Sequence, residues 1–194
     1  MTAPLSHDRP RDAQVPQTID LASANERFAQ MSAAQRVDCA IEMLPGRPIL
    51  SSSFGAQAAV SLHMVTRVMP NIPVVLIDTG YLFPQTYAFI DELTDRLKLN
   101  LKVFRSVRSP AWQEVRYGQR WLQGREGIER YNHDNKVEPM QQALSELDVG
   151  TWFSGVRREQ APSRRATPFI RQADGYYRVA PIADWSERDV FDYL

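Results

Sequence analysis

The apolar and polar positions of this chain change period several times, and each change marks an element. From Asp20 to Leu44 apolar residues recur at helical spacing, with Val37, Ala40, Ile41 and Leu44 marking one buried face. Ser32 interrupts that stretch as a helix N-cap, and Pro45-Gly46 ends it. Pro48–Ser52 then reads as a short strand, and Ala56–Val68 as a helix apolar almost all round, the pattern of a helix packed under a sheet. Pro73–Ile77 is a short apolar run of the buried parallel-strand type, followed by a helix over Pro84–Leu97 with proline at its first position. Leu99–Arg105 alternates as a third strand, Ala111–Tyr117 and Val137–Leu147 read as helices, Thr151–Gly155 as a fourth strand and Tyr176–Pro181 as a fifth.

Strands separated by helical crossovers predict an α/β fold, a mainly parallel sheet flanked by helices, with ligands at the carboxyl ends of the strands. Residues 19–194 are expected to form one such domain with a helical preface. Residues 1–18 carry Pro4, Pro10 and Pro16 among polar residues without periodicity and are expected to be a flexible arm. At the other end Ser186 and Asp189 form a capping-box pattern, yet the helix they open has barely two turns before Leu194, so a further C-terminal segment is expected.

Composition narrows the chemistry. Lys plus Arg equals Asp plus Glu at 23 each, so no global positive field exists to hold nucleic acid, and any anion site must be local. No run of about 18 apolar residues suggests a membrane span, and no secretory signal opens the chain, so a cytoplasmic location is expected. The one cysteine, Cys39, can form neither an internal disulfide nor a thiolate metal cage, and it sits on the helical face as a core filler. The three histidines, His7, His63 and His133, show no metal-ligand spacing, so no metal site is expected.

Three segments could carry chemistry. Ser51-Ser52-Ser53-Phe54-Gly55-Ala56-Gln57 joins the first strand to its helix, where unpaired N–H groups and the positive helix end favour an anion; a plain serine-rich helix cap is the alternative. Asp78-Thr79-Gly80 follows the second strand, where open α/β sheets hold ligands; an ordinary connecting loop is the alternative. Gly155–Arg165 places Arg157, Arg158, Arg164 and Arg165 in one loop with Gln160 and Ser163, suited to phosphate or sulfate oxygens; a solvated basic loop is the alternative. Lys136 adds a cation before a helix and by itself reads as surface.

Together these segments resemble the adenylyl-sulfate and phosphoadenylyl-sulfate reductases of assimilatory sulfate reduction. Ser51–Gly55 resembles the modified PP-loop of that family, Asp78-Thr79-Gly80-Tyr81-Leu82-Phe83-Pro84 its second-strand motif, and Gly155-Val156-Arg157-Arg158-Glu159-Gln160 its arginine loop. Tyr117-Gly118, Gly127-Ile128-Glu129 and Asn135–Met140 also fit, so the similarity runs from about Ala33 to Leu194. Ala161-Pro162 stands where many members have Ser-Gly.

The resemblance implies a PP-loop, adenine-nucleotide-hydrolase-like architecture. It also implies substrate-binding roles for Ser51, Ser52, Ser53, Phe54, Gly55, Gln57, Asp78, Thr79, Gly80, Lys136, Arg157, Arg158, Gln160, Ser163 and Arg164. Iron–sulfur members carry a Cys-Cys pair where this chain has Tyr131-Asn132, and a [4Fe–4S] cluster needs four thiolates, so the cluster-free type acting on 3′-phosphoadenylyl sulfate is implied. Reduced thioredoxin or glutaredoxin would be the electron donor, and a homodimer fits the family. The family's nucleophilic cysteine lies in a Glu-Cys-Gly-Leu-His type motif that this chain lacks; it is expected C-terminal to Leu194, and Cys39 does not take its place. Two alternatives stay open: a non-catalytic adenine-nucleotide-binding module, and an ATP pyrophosphatase or adenylyltransferase of the same fold, although the Ser-Gly-Gly-x-Asp-Ser loop of the latter is absent.

Overall fold

The helical preface consists of two helices, α1 (Leu21–Ala29) and α2 (Ala33–Met43), each started by a side chain. Asp20 accepts from the N–H groups of Ala22 and Ser23, while Ser32 and Gln35 exchange hydrogen bonds in a capping box, so both ends satisfy donors that a helix leaves free. This computed structural model describes residues 19–194; the expected arm, 1–18, lies outside the described residues. Beyond the Pro45-Gly46 turn come β1 (Arg47–Ser51), α3 (Ala58–Val68), β2 (Pro73–Ile77), α4 (Pro84–Leu97) and β3 (Asn100–Phe104). The chain continues through α5 (Pro110–Tyr117), α6 (Gly124–Asn132), a π-type turn at His133–Val137, α7 (Glu138–Glu146) and β4 (Val149–Ser154). It ends with β5 (Ile170–Ala173), β6 (Tyr176–Val179) and α8 (Glu187–Tyr193).

The six strands form one sheet in the order β3-β2-β1-β4-β6-β5, parallel throughout except for the β5–β6 pair. From β1 the sheet grows in one direction through β2 and β3 and in the other through β4, so strand order reverses between β1 and β4. Loops diverge at such a switch point and leave a crevice at the carboxyl ends of the strands.

Alternation along the strands supplies both faces. Leu50, Val74 and Leu76 join α2, α3 and α4 in the larger core, which includes Cys39. Ile49 and Val75 face Met140 and Ala143 of α7. At the amino end of β1 the chains nearly touch: a Cβ on Gly46 would stand 2.6 Å from the Gly150 Cα, so only glycines permit that approach.

Two elements depart from the sequence expectation. The sheet has six strands rather than five, because Asp174-Gly175, both at positive φ, closes a β5–β6 hairpin whose outer strand is short and exposes Arg171 and Gln172. Helix α6 buries only Gly127 and carries Arg125–Glu129 and Glu126–Arg130 pairs, so it is stabilised along a polar surface, and Ile128 and Tyr131 are too few apolar residues to mark it as a helix.

Arg36 joins the preface to the end of the sheet. Its side chain, 3% exposed, donates to the carbonyls of Phe28 and Pro181 and grips the Asp184 carboxylate with two bonds of 2.6 and 2.8 Å, while the guanidinium lies 3.9 Å from the Phe169 ring centroid. Arg36→Met is expected to destabilise the fold by about 2–4 kcal/mol, because the carbonyls of buried Phe28 and Pro181 lose a charged donor and the more exposed Asp184 carboxylate loses its partner. Urea titration measures this, and a loss below about 1 kcal/mol would show that those groups find other partners.

Candidate functional site

At the switch point a cleft of about 490 Å³ opens between the loop after β1 and the loop after β4. Ser51, Ser52, Ser53, Gly55 and Gln57 line one side, and Gly155, Arg157, Gln160 and Arg164 the other. Two sequence candidates about a hundred residues apart therefore share one cavity. They also touch: the Arg157 guanidinium donates to the Gln57 side-chain oxygen across the cleft.

The serine segment is not a helix cap. Helix α3 begins at Ala58, two residues later than its sequence pattern suggests, and its N-cap Gln57 makes no capping bond. Ser51 Oγ accepts from Trp152 Nε1 at 2.7 Å, and Ser52 Oγ accepts from the Phe54 N–H at 3.1 Å. No side chain caps the amino end of α3, where the Ala58 and Val60 N–H groups donate to the Gly55 and Gln57 carbonyls, and its positive end faces the cleft. Phe54 plays a different part from its neighbours, because its side chain is 1% exposed within the core and its φ of 50° is left-handed. A bulky residue rarely adopts that conformation, and here burial of the ring holds it there.

On the facing loop Arg157 is 3% exposed, and its Nη1 also reaches the Trp185 carbonyl at 3.4 Å. Gln160 uses one side-chain oxygen to accept from the Arg157 N–H and from the Arg164 guanidinium, which steers Arg164 into the cleft wall. Arg158 is occupied elsewhere: Nε donates to the Thr167 carbonyl at 2.8 Å and the guanidinium lies 4.7 Å from the Phe169 centroid. Ser163 lines an adjoining second cleft of about 490 Å³ beside β4 and β6.

Asp78, Thr79 and Gly80 line a third, smaller cleft of about 270 Å³ with Arg105 and Arg108, at the carboxyl ends of the neighbouring strands β2 and β3. Asp78 accepts from the Gly80 N–H at 2.8 Å and from the Tyr87 hydroxyl at 2.7 Å. Gly80 has φ of 73°, and a Cβ there would stand 2.5 Å from Pro110, so the turn requires glycine.

Lys136 lines none of these clefts. It projects from the π-type turn with its ammonium 5.9 Å from the Tyr131 centroid, and Tyr131 packs against Trp121 and Tyr81. Burial and the hydrogen bond to Glu114 push the Tyr81 phenol up to about 12, so it remains a donor. The turn itself is pinned by a reciprocal amide pair, Asn135 with Gln113 at 2.8 and 2.9 Å, and by Arg120 on Asp134 at 2.7 Å. His133, Asp134 and Glu138 offer ligand atoms within 4.8 Å of one another, but Asp134 is committed to Arg120.

Comparison with known proteins decides the family. A family model described as the phosphoadenosine phosphosulfate reductase domain matches residues 47–194. The phosphoadenosine 5′-phosphosulfate reductase of Salmonella newport (strain SL254) is 58% identical over 181 residues, 93% of this chain and 74% of that protein. The chain belongs to this family. The Salmonella typhi enzyme of the same name gives the same identity and coverage. The phosphoadenylyl-sulfate reductase of Candida auris, solved as a phosphate complex, superposes with a TM-score of 0.75 at 23% identity, over 89% of this chain and 83% of that one. The FMN adenylyltransferase of Candida glabrata, solved with FAD and pyrophosphate, gives 0.59 at 16% identity, over 89% and 62%. At those identities the two structures establish the shared PP-loop-like fold.

Sequence reading of this reductase-family chain passed over Ser61 and Ser154, which complete the first cleft, and Arg171 and Arg178, which line the second. Ser61 lies within α3, about one turn past its start, where a helical wheel could have placed it; the two arginines meet only through the unforeseen β5–β6 hairpin.

Burial raises the Asp134 carboxyl, but Arg120, with His133 assisting, more than offsets this and holds it below the usual aspartate value. A lowered folded-state value means that the stabilisation is complete above the unfolded value of about 3.9 and is lost as pH falls through the lowered one. Asp134→Asn is therefore expected to remove part of the acid-side fall in stability. Urea unfolding across the acid range checks this, and parallel curves for both proteins would refute it.

Proposed function

We propose that these residues bind 3′-phosphoadenylyl sulfate and hold its phosphosulfate at the switch-point cleft for reductive release of sulfite and adenosine 3′,5′-bisphosphate. The observation that carries this reading is the Arg157–Gln57 contact, which joins the arginine loop to the serine loop at the amino end of α3, where no side chain caps the helix. Such a site offers backbone N–H groups and guanidinium donors to the same anion. Among the described residues no carboxylate lines that cleft.

The chemistry proposed is that of the family. A cysteine thiolate attacks the sulfonate sulfur, the bisphosphate leaves, and reduced thioredoxin or glutaredoxin then attacks the resulting S-sulfocysteine to free sulfite. The part assigned to this chain is charge management: the substrate carries about three to four negative charges that repel a thiolate, and Arg157, Arg164 and the Ser53 and Gly55 amides offset them, the Phe54 amide being taken up by Ser52. Cys39, the one cysteine of the chain, is 7% exposed in the α2 core, so it is not proposed as the nucleophile. One cysteine cannot supply the four thiolates of a [4Fe–4S] cluster, which favours the cluster-free type.

Asp78, Thr79 and Gly80 are proposed to meet the nucleoside beside the cleft. Lys136 is proposed to approach the anion from the π-type turn, and Arg158 to shape the arginine loop through Thr167 and Phe169. A second copy of the chain is the proposed cover for Val107, Trp112 and Val115, exposed apolar side chains on and before α5. No helix among the described residues is long and apolar enough to cross a membrane, in keeping with the proposed cytoplasmic setting.

Calorimetry with adenosine 3′,5′-bisphosphate tests the reading. Arg157→Ala is expected to weaken binding by about 1.5–3 kcal/mol, the worth of hydrogen bonds to a charged group. Unchanged affinity would remove Arg157 from the site. Magnesium-dependent release of pyrophosphate from ATP would instead establish the adenylyltransferase-like alternative.

A further inference from the structure

We infer that helix α8 holds the Glu159 carboxylate away from Arg157, which makes Glu159 a positioning residue that sets how much of the arginine's charge a nucleotide can use. This inference rests on the nucleotide reading given above and deepens it.

The first observation is the placement of Glu159. It follows Arg157 by two residues in the arginine loop, is exposed, and lines none of the three clefts. Its carboxylate is anchored on another element: Oε2 accepts from the Glu187 N–H, in the first turn of α8, at 2.9 Å. The same oxygen stands 3.8 Å from Arg157 Nη1, beyond hydrogen-bond reach. A guanidinium is a stronger partner for a carboxylate than a neutral N–H, so Glu159 turns to Arg157 once the α8 amide is withdrawn.

The second observation is how α8 is held. Its seven residues are too few to persist as a helix without packing. Val190, 2% exposed, seats it in the core and borders the first cleft. At its far end the Tyr193 hydroxyl is hydrogen-bonded to His63 Nδ1 of α3 at 3.1 Å, and the Tyr193 ring lies 5.4 Å from that of Trp185. Trp185 presents its carbonyl to Arg157 Nη1 at 3.4 Å. Docked α8 therefore gives Arg157 a neutral oxygen and occupies its acidic neighbour.

The third observation is the charge at the cleft wall. Among the described residues, Glu159 supplies the one carboxylate within 4.0 Å of Arg157, and the Gln57 oxygen across the cleft is neutral. With α8 released, Glu159 and a phosphate or sulfate group compete for one guanidinium; with α8 docked, the anion meets it without that rival. Nucleotide binding and docking of α8 then favour each other by the same factor.

The test is calorimetry with adenosine 3′,5′-bisphosphate on the wild-type chain, Tyr193→Ala, Glu159→Gln and the double variant. Tyr193 lines no cleft, so its truncation loosens α8 without removing a ligand contact. Tyr193→Ala is expected to bind about fivefold more weakly. Glu159→Gln keeps an oxygen for the Glu187 N–H but carries no charge; it is expected to bind at least as tightly as the wild type and to abolish the loss when combined with Tyr193→Ala. A purely structural role for Tyr193 gives the same loss in both backgrounds. Unchanged binding by Tyr193→Ala, or a loss that persists in the double variant, would overturn the role of Glu159 while leaving the nucleotide reading in place. A wild-type chain that does not bind the bisphosphate would overturn that reading, and the role of Glu159 with it.

Discussion

The pairing of β1 with β4 is the constraint on which the rest depends. These strands are separated by about a hundred residues, yet they run parallel with Ser51 opposite Ser154, so the loops that leave them start side by side. The near contact of Gly46 with Gly150 fixes the other end of the pair. Because the chain winds away from β1 to one side and from β4 to the other, the loops at their carboxyl ends diverge and leave a cleft that α3 and α8 border through Ser61 and Val190. The cleft follows from the topology, and the residue types only decide what it holds.

What it holds is set by how the arginines are restrained. Arg157 is held by neutral oxygens, the Gln57 amide and the Trp185 carbonyl, with the nearest carboxylate oxygen, of Glu159, 3.8 Å away. Gln160 restrains Arg164 in the same manner. Amide partners fix a guanidinium without neutralising it, so its charge stays available to a ligand. Arg36 is the contrast, since the Asp184 carboxylate takes up its charge and its role is structural.

Much of the fold was legible because β2 is buried on both faces and reads as an uninterrupted apolar run, while the edge strand β3 shows alternation and turns bound both. The loop motifs were legible as well, since Ser51–Gln57 and Gly155–Arg164 are local in sequence. Less legible were features that exist only after folding. The core position of Phe54 depends on a left-handed backbone, and the commitment of Arg158 to Thr167 and Phe169 depends on a loop of short turns. The Arg171–Arg178 pair depends on a hairpin whose only strong signal was Asp174-Gly175, and α6 offered few apolar residues because it buries only Gly127.

The buried ring of Phe54 ties the lifetime of the anion site to that of the whole fold. Many phosphate-binding loops are mobile when empty and pay an ordering entropy on each encounter. Here the turn that presents the amides is anchored in the same hydrophobic interior as α3 and β1, so it cannot loosen by itself. On warming, affinity and structure should disappear in a single cooperative event, with no temperature interval in which a folded protein has a melted site.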